Sequence, residues 1–220
     1  MQKKSGRDQR TKVCLFAKAP VLGQVKTRMA GYLSESDCLQ LHTDMLMCVA
    51  TMVAQLSRQD FQFELHITAK HPYFDALSGR HNIPQVLQNG EGLGARMSCA
   101  VQKALADFES VLLVGADCPL VDVSAINAAR ATLVHCNAAM IPALDGGYVA
   151  LGLRSYDACL FSGIAWGGAD VAATTVQRMK SLSWDYQLLA ACPDIDRPED
   201  LRHLAVLPAL AHWALRAPLK

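Results

Sequence analysis

The sequence predicts an α/β fold: three layers, Rossmann-like, around a mostly parallel but mixed central sheet. Three observations predict it. Short apolar runs suited to buried strands alternate with stretches whose apolar residues recur at helical spacing, the pattern of parallel βαβ units. The chain has 220 residues, 51% of them hydrophobic, with 14 glycines and 9 prolines, a composition that buries a core. One pair of runs is joined by a turn too short for a crossover, which inserts an antiparallel pair.

In chain order, residues 1–12 are charged and are expected as a flexible tail, with one domain over 13–220. Val13 to Ala17 reads as the first strand. Ser34 with Asp37 offers a capping box ahead of Leu39, Leu46, Val49, Val53 and Leu56, which recur at spacings of three, four and seven. Phe61 to Thr68 is a strand that alternates with polar residues. Ile83 to Gln88 is a poor one, interrupted by Pro84 and two glutamines. Met97, Ala100, Val101, Ala104, Leu105 and Phe108 share one helix face and lead into the strand Val111 to Gly115. Ala138 to Ala143 and Tyr148 to Leu153 follow as hairpin strands. Pro198, with Asp194 and Asp196 just ahead, opens a last helical region.

Composition removes several classes of function. A net charge of +1 is too balanced for broad gripping of nucleic acid. The eight cysteines stand singly, never as C-x-x-C, and read as reduced thiols of a cytoplasmic protein. Only five apolar residues follow the charged start, too few for a signal-peptide core. The apolar stretch Leu201 to Leu219 is broken by Arg202, Pro208, Arg216 and Pro218, so it reads as packed or interfacial helix and no membrane span is expected. Its segment Ala205 to Leu215 would cover the protomer's own sheet or a neighbour's, which leaves a homo-oligomer open. No H-E-x-x-H, Cys/His zinc spacing or G-x-S-x-G elbow occurs.

What remains is a set of polar residues at strand ends. The segment from Lys18 to Arg28 leaves the first strand with Lys18, Gly23, Lys26 and Arg28, where an α/β sheet binds ligands; it is either a phosphate loop or a solvated basic loop. Val25 stands where a P-loop requires Gly. Asp117 is the first carboxylate after a strand apolar on both faces, which puts it on the same rim, as a ligand for a divalent cation facing phosphate or as the cap of a turn with Pro119. Asp145-Gly146 suits a type I′ hairpin turn, while the additional Gly147 and Tyr148 would admit a ligand close to the backbone. Trp166-Gly167-Gly168 is an acceptor-side loop or a helix cap after a packed Trp. Gly90 to Ala95 matches G-x-G-x-x-A, the basis of a rival reading as an NAD-dependent oxidoreductase.

Read together, Phe16-Ala17-Lys18-Ala19-Pro20, Gly23, Lys26-Thr27-Arg28, Gly94-x-Arg96-Met97, Gly115-x-Asp117-Cys118-Pro119, Pro142-Ala143-x-Asp145-Gly146-Gly147-Tyr148 and Asp194-x-Asp196-x-Pro198-Glu199-Asp200-Leu201 resemble the DUF2064 family. These are glycosyltransferase-like proteins related to the phospholactate guanylyltransferases. The resemblance runs from about residue 13 to 205. It implies a GT-A, nucleotide-diphospho-sugar transferase fold. It also implies Lys18, Gly23, Lys26, Arg28 and Arg96 around a nucleotide and its phosphates, Lys26 and Asp117 as the catalytic pair, and Mg²⁺ or Mn²⁺ on Asp117 with Asp196 as second ligand. Asp145, Gly146, Gly147, Tyr148 and Trp166 would border the donor sugar or the acceptor. The sequence departs from the family pattern at Gly92, where relatives carry Asp, at Gly167-Gly168 in place of Ser-Thr, and at Ile141 in place of Gly.

The activity these residues imply is metal-dependent transfer of a sugar from a nucleotide-sugar donor to a small acceptor. Nucleotidyl transfer with release of pyrophosphate needs the same clamp and is the alternative. The change at Gly92 keeps a non-catalytic nucleotide binder as a further alternative.

Overall fold

The first strand, β1 (Asp8–Ala17), starts earlier than its apolar run suggests. Residues 8–12 are polar yet paired on both sides: Thr11 lies opposite Phe61 and Ser110, and its hydroxyl shares a 2.8 Å hydrogen bond with that of Ser110. The expected tail is therefore shorter at its inner end. Its first six residues lie outside the described ones, since the computed structural model describes residues 7–218.

After β1 come α1 (Glu35–Gln55), β2 (Phe61–Ile67), α2 (Pro72–His81), β3 (Gln85–Leu87), α3 (Gly92–Asp107), β4 (Phe108–Gly115) and α4 (Val123–Thr132). Then follow β5 (Ala138–Pro142), β6 (Tyr148–Leu153), α5 (Val171–Ser181), β7 (Tyr186–Leu188) and the short α6 (Ala211–Ala214). Ser34 caps α1 as expected, its hydroxyl accepting from the Asp37 N–H at 3.1 Å. The three-residue β7 and helices α2 and α4 lie outside the sequence expectation, while α5 follows the Trp166-Gly167-Gly168 segment that reads as a loop or a helix cap.

The seven strands form one sheet in the order β3-β2-β1-β4-β6-β5-β7. All neighbouring pairs are parallel except those of β6, which runs antiparallel to both β4 and β5. The sheet is mixed, as predicted. Because β6 is reversed, its first residue lies on the rim where the other strands end, and the hairpin between β5 and β6 joins that rim.

Alternation along β1 and β2 sorts the core into layers. Val13, Leu15, Phe61, Phe63 and Leu65 face α1, α2 and α4, packing against Leu46, Val49, Phe74, Leu77 and Ile126. Cys14, Leu113 and Leu151 face α3 and α5, against Met97, Val101, Leu105 and Met179. Each fully buried aliphatic or aromatic side chain in these layers contributes roughly 1.5–3 kcal/mol. A third cluster joins the start of α1 to the C-terminal segment through Met29, Leu41, Met45, Ile195, Leu204 and Trp213.

The C-terminal stretch is not one helix. It comprises 3₁₀ turns over Pro198–Val206 and the four-residue α6, and its apolar side chains pack on α1 rather than on the sheet. Trp213 Nε1 donates to Asp44 at 2.9 Å and Arg216 pairs with Asp37 at 2.7 Å, which fixes this segment and the Asp194–Asp196 strip leading into it. Among the described residues, no helix is long and apolar enough to cross a membrane. All eight cysteines are free.

Candidate active site

The ends of β1 and β4 are tied together, Ala116 N–H donating to the Phe16 carbonyl at 3.1 Å. Residues 18–28 and Asp117 thus leave neighbouring strands on one rim, at the point between β1 and β4 where the strand order reverses. Ala19 N–H donates to Thr68 Oγ1 at 2.9 Å, anchoring the loop, and Lys18 Nζ closes it by donating to the Gln24 carbonyl at 2.6 Å. Gly23 takes φ +71°, a left-handed turn position suited to glycine.

Lys26 also has a left-handed backbone, φ 50° and ψ 37°, which costs a side-chain-bearing residue about 1 kcal/mol. That turn sends its side chain inward, where it is 3% exposed. Nζ lies 2.8 Å from Asp117 Oδ1 and donates to the Ile195 carbonyl at 2.6 Å. One buried ammonium therefore joins three distant segments. Asp117 remains 57% exposed and, among the described residues, its Oδ2 has no partner.

His42 on α1 completes the arrangement. Its Nε2 is 2.9 Å from the Lys18 carbonyl, which only accepts, so Nε2 carries the proton; Nδ1 lies 3.7 Å from Asp117 Oδ1. Burial around the Asp117 carboxylate works against its charge, but Lys26 and then His42 outweigh this and hold the group well below the usual carboxylate range. Asp117 is therefore an anion on an open rim.

Arg28 bridges the next segments: Nη1 pairs with Asp196 at 2.5 Å and Nη2 donates to the Gly167 carbonyl at 3.0 Å. Asp196 is thus engaged. Among the described residues Asp194, two positions earlier, has no ion pair, and burial, then Asp145, Asp200 and Asp196, push its pKa up to about 6. Lys26 Nζ, in contact with both Asp117 Oδ1 and the Ile195 carbonyl, brings the Asp194–Asp196 strip beside Asp117. This donor set fits Mg²⁺ or Mn²⁺, which favour one or two carboxylates plus phosphate and water oxygens. Asp194 was noted in the sequence only as an acid ahead of a helix.

Two cavities adjoin this rim and share Asp145. One, of about 290 Å³, is polar, lined by Arg28, Asp194, Asp196, Arg197 and Asp200 among others. The other, of about 200 Å³, lies over the ends of β4 and β6 and includes Leu113, Gly147, Tyr148, Trp166 and Gly167 in its lining. Tyr148 and Trp166 meet edge to face, with centroids 6.4 Å apart.

Other predicted residues fall elsewhere. Gly146 lines neither cavity: its φ is +94°, and a Cβ would strike the Ala169 backbone, so its freedom serves chain packing rather than ligand approach. The hairpin turn is not type I′, because Asp145 has no positive φ; its carboxylate instead accepts from the Gly147 N–H at 2.8 Å. Arg96 turns back onto the Gly90 carbonyl at 3.1 Å and lines neither cavity. The G-x-G-x-x-A motif follows the edge strand β3 and not β1, the strand after which a dinucleotide fold places its glycines, although its Leu93 reaches the cavity over β4 and β6.

Among the described residues, one group has three metal-type ligands close together, Cys14, Glu64 and His66, with ligand atoms within 4.8 Å of one another. Sequence spacing does not reveal it, because strand pairing brings it together. It does not fit a cation. Lys12 Nζ already sits 2.6 Å from Glu64, and burial, with Glu64 second, raises the pKa of the Cys14 thiol, so no thiolate is offered.

A family model described as "Uncharacterized protein conserved in bacteria (DUF2064)" matches residues 50–168. No curated protein matches the chain. Among solved structures, a protein from Desulfovibrio desulfuricans G20, provisionally assigned as a nucleotide-diphospho-sugar transferase, is 25% identical, with a TM-score of 0.85 over 97% of this chain and 100% of its own. A cytidylyltransferase from Leptospira borgpetersenii is similar at 12% identity and TM-score 0.57, over 90% of this chain and 85% of its own. A 4-diphosphocytidyl-2C-methyl-D-erythritol synthase from Anaerococcus prevotii is similar at 10% identity and TM-score 0.57, over 87% and 94%. The chain has the nucleotide-diphospho-sugar transferase fold, and the last two structures bear on the fold alone.

Proposed function

The chain belongs to the DUF2064 family, and we propose that it is a metal-assisted transferase that moves a sugar from a nucleotide-sugar donor to a small acceptor. The observation that carries this reading is the Lys26–Asp117 pair, at 2.8 Å, joined to the Asp194–Asp196 strip through Ile195. It leaves the Asp117 carboxylate 57% exposed on the rim from which the loop carrying Lys18 and Arg28 also departs.

In this reading Asp117 and Asp194 hold the ion, in preference to Asp196, which Arg28 occupies. Lys26 and His42 orient Asp117 and keep it ionised. Lys18 and Arg28 meet the donor's phosphate oxygens. A divalent cation at this site supplies charge against that developing on the leaving diphosphate. The acceptor oxygen's lone pair attacks the anomeric carbon, and the bond from that carbon to the diphosphate oxygen breaks with its electrons on the leaving group. The acceptor's proton passes to a base, and the presence of Asp145 in the lining of both cavities supports that role for it.

Nucleotidyl transfer uses the same clamp with attack at the α-phosphorus, and the similarity in fold to cytidylyltransferases favours keeping it as the second reading. Product analysis separates the two: a nucleoside diphosphate leaves in one, pyrophosphate in the other. The test of the shared claim is a thermal-denaturation screen of nucleoside triphosphates and sugar nucleotides with Mg²⁺ or Mn²⁺. A ligand at 100 times its Kd adds about 2.7 kcal/mol. Absence of any metal-dependent stabilisation across the panel would overturn the reading.

A further inference from the structure

The two cavities that meet at Asp145 differ in kind. The polar one is walled by arginines and aspartates on the side of the phosphate loop. The 200 Å³ one has a floor of strand side chains, including Leu113 and Val149, and walls formed by Met97, Tyr148 and Trp166. Among the described residues, Asp145 is the one charged group that lines it.

Few polar side-chain atoms line it: those of Asp145, the Tyr148 hydroxyl and Trp166 Nε1. The Tyr148 hydroxyl has the Met97 sulfur as partner at 3.9 Å, and burial pushes this phenol's pKa up, so it stays neutral. One Asp145 oxygen is taken by Gly147 N–H, and the Gly167 carbonyl by Arg28. A sugar ring presents hydroxyls around its whole edge, and each hydroxyl buried without a partner opposes binding. An apolar ring or branched chain has no such requirement and would gain from contact with Tyr148, Trp166 and Met97. The volume lies below the roughly 300–1,000 Å³ of pockets that take drug-sized ligands, which limits the occupant to a compact molecule.

We propose that this cavity is the acceptor pocket and that the acceptor has a compact aromatic or branched apolar body with one polar end, held at Asp145, rather than a polyhydroxylated sugar. The assignment rests on the transferase reading above. Position supports it: the cavity lies over the ends of β4 and β6 and reaches Phe16 at the end of β1, from which the phosphate loop leaves, and Asp145 lines both cavities. The donor's diphosphate and an acceptor's polar end would therefore meet at that residue.

Ligand-observed saturation-transfer NMR on the full chain tests the proposal with benzyl alcohol, 4-hydroxybenzyl alcohol and isoamyl alcohol against D-glucose and myo-inositol. The alcohols with apolar bodies should show transfer and the polyols none. Leu93 is 44% exposed and also lines the cavity, so Leu93→Trp narrows it without disturbing the core and should weaken the aromatic alcohols at least tenfold. Trp166→Phe, a milder change, should weaken them severalfold. The proposal is overturned if the polyols bind and the apolar alcohols do not, or if none of these probes binds. It is also overturned if uridine, cytidine, adenosine or guanosine displaces a bound aromatic alcohol, which would make the cavity a base pocket. Metal-dependent binding of nucleoside diphosphates, measured in the same samples, separates the outcomes: if it persists while the alcohols fail, only the acceptor assignment falls.

Discussion

Two regions of this molecule each bring together a lysine, a carboxylate and a histidine and do different things with them. On the rim, Lys26, Asp117 and His42 meet with ion-pair distances of 2.8 and 3.7 Å; within the sheet, Lys12, Glu64 and His66 meet at 2.6 and 3.1 Å. The difference lies in the backbone beneath them. Lys12, Glu64 and His66 sit mid-strand on paired β1 and β2, where regular alternation points them into one closed layer, and His66 stacks on Phe16 at 5.1 Å. Lys26 and Asp117 sit just past the strand ends, where the chain is free to turn, and the carboxylate is 57% exposed against 27% for Glu64. Identical chemistry is structural when the sheet closes over it and available for ligands when strands end beneath it.

The largest expected effect lies in the closed set. Lys12→Met leaves Glu64 partly buried without its cation and should cost about 3 kcal/mol in urea denaturation. Adding Glu64→Leu should restore most of the loss. If Lys12→Met instead left stability unchanged but altered metal binding, the contrast between the regions would be wrong.

Next in size is the rim. Asp117→Asn should remove the roughly 2.7 kcal/mol that a nucleotide–metal pair at 100 times its Kd adds to the wild type, read as loss of the ligand-induced thermal shift. The unliganded protein should itself lose about 2 kcal/mol, because the Lys26 ammonium, 3% exposed, is left without its anion and keeps only neutral acceptors.

Some parts of both regions were legible in the sequence and others were not, for physical reasons. Val111 to Gly115 announces itself because a strand buried on both faces must be continuously apolar, and that alone places Asp117 on the rim. The loop from Lys18 to Arg28 follows from the same rule. Asp8 to Lys12 do not look like a strand because their partners, on Phe61 to Glu64 and Phe108 to Val111, are some fifty and a hundred residues away along the chain and supply the carboxylate of Glu64 and the hydroxyl of Ser110. β7 is three residues long with two of them exposed, so it leaves no pattern. His42 did leave one: it stands on the buried stripe of Cys38, Met45, Leu46 and Val49, where a titratable ring needs polar partners, but which partners only the fold reveals. The role of Asp194 arises from acids brought close by folding, among them Asp145 about fifty residues earlier.

Within the rim, scaffold and binding surface also separate. Gly146→Ala combines a left-handed φ with collision against Ala169, and should cost about 2 kcal/mol with no change in metal affinity for the folded fraction, measured by denaturation and titration together.

The smallest effect is in pH dependence. The Asp194 pKa is raised to about 6 from an ordinary 3.8, so the folded state holds this proton more tightly than the unfolded one. Its contribution is complete below pH 3.8 and is lost as pH rises through about 6. After allowing for partial exposure, that is about 1 kcal/mol. Urea midpoints at pH 4.5 and 7.5 should show the loss in the wild type and not in Asp194→Asn.

The most direct measurement is a Mn²⁺ titration followed by electron paramagnetic resonance, in the presence of GDP, UDP, CDP or ADP, on the wild type, Asp117→Asn and Glu64→Gln. The account predicts one nucleotide-dependent Mn²⁺ in the wild type, lost in Asp117→Asn and retained in Glu64→Gln. Retention in Asp117→Asn with loss in Glu64→Gln would place the metal within the sheet and contradict it.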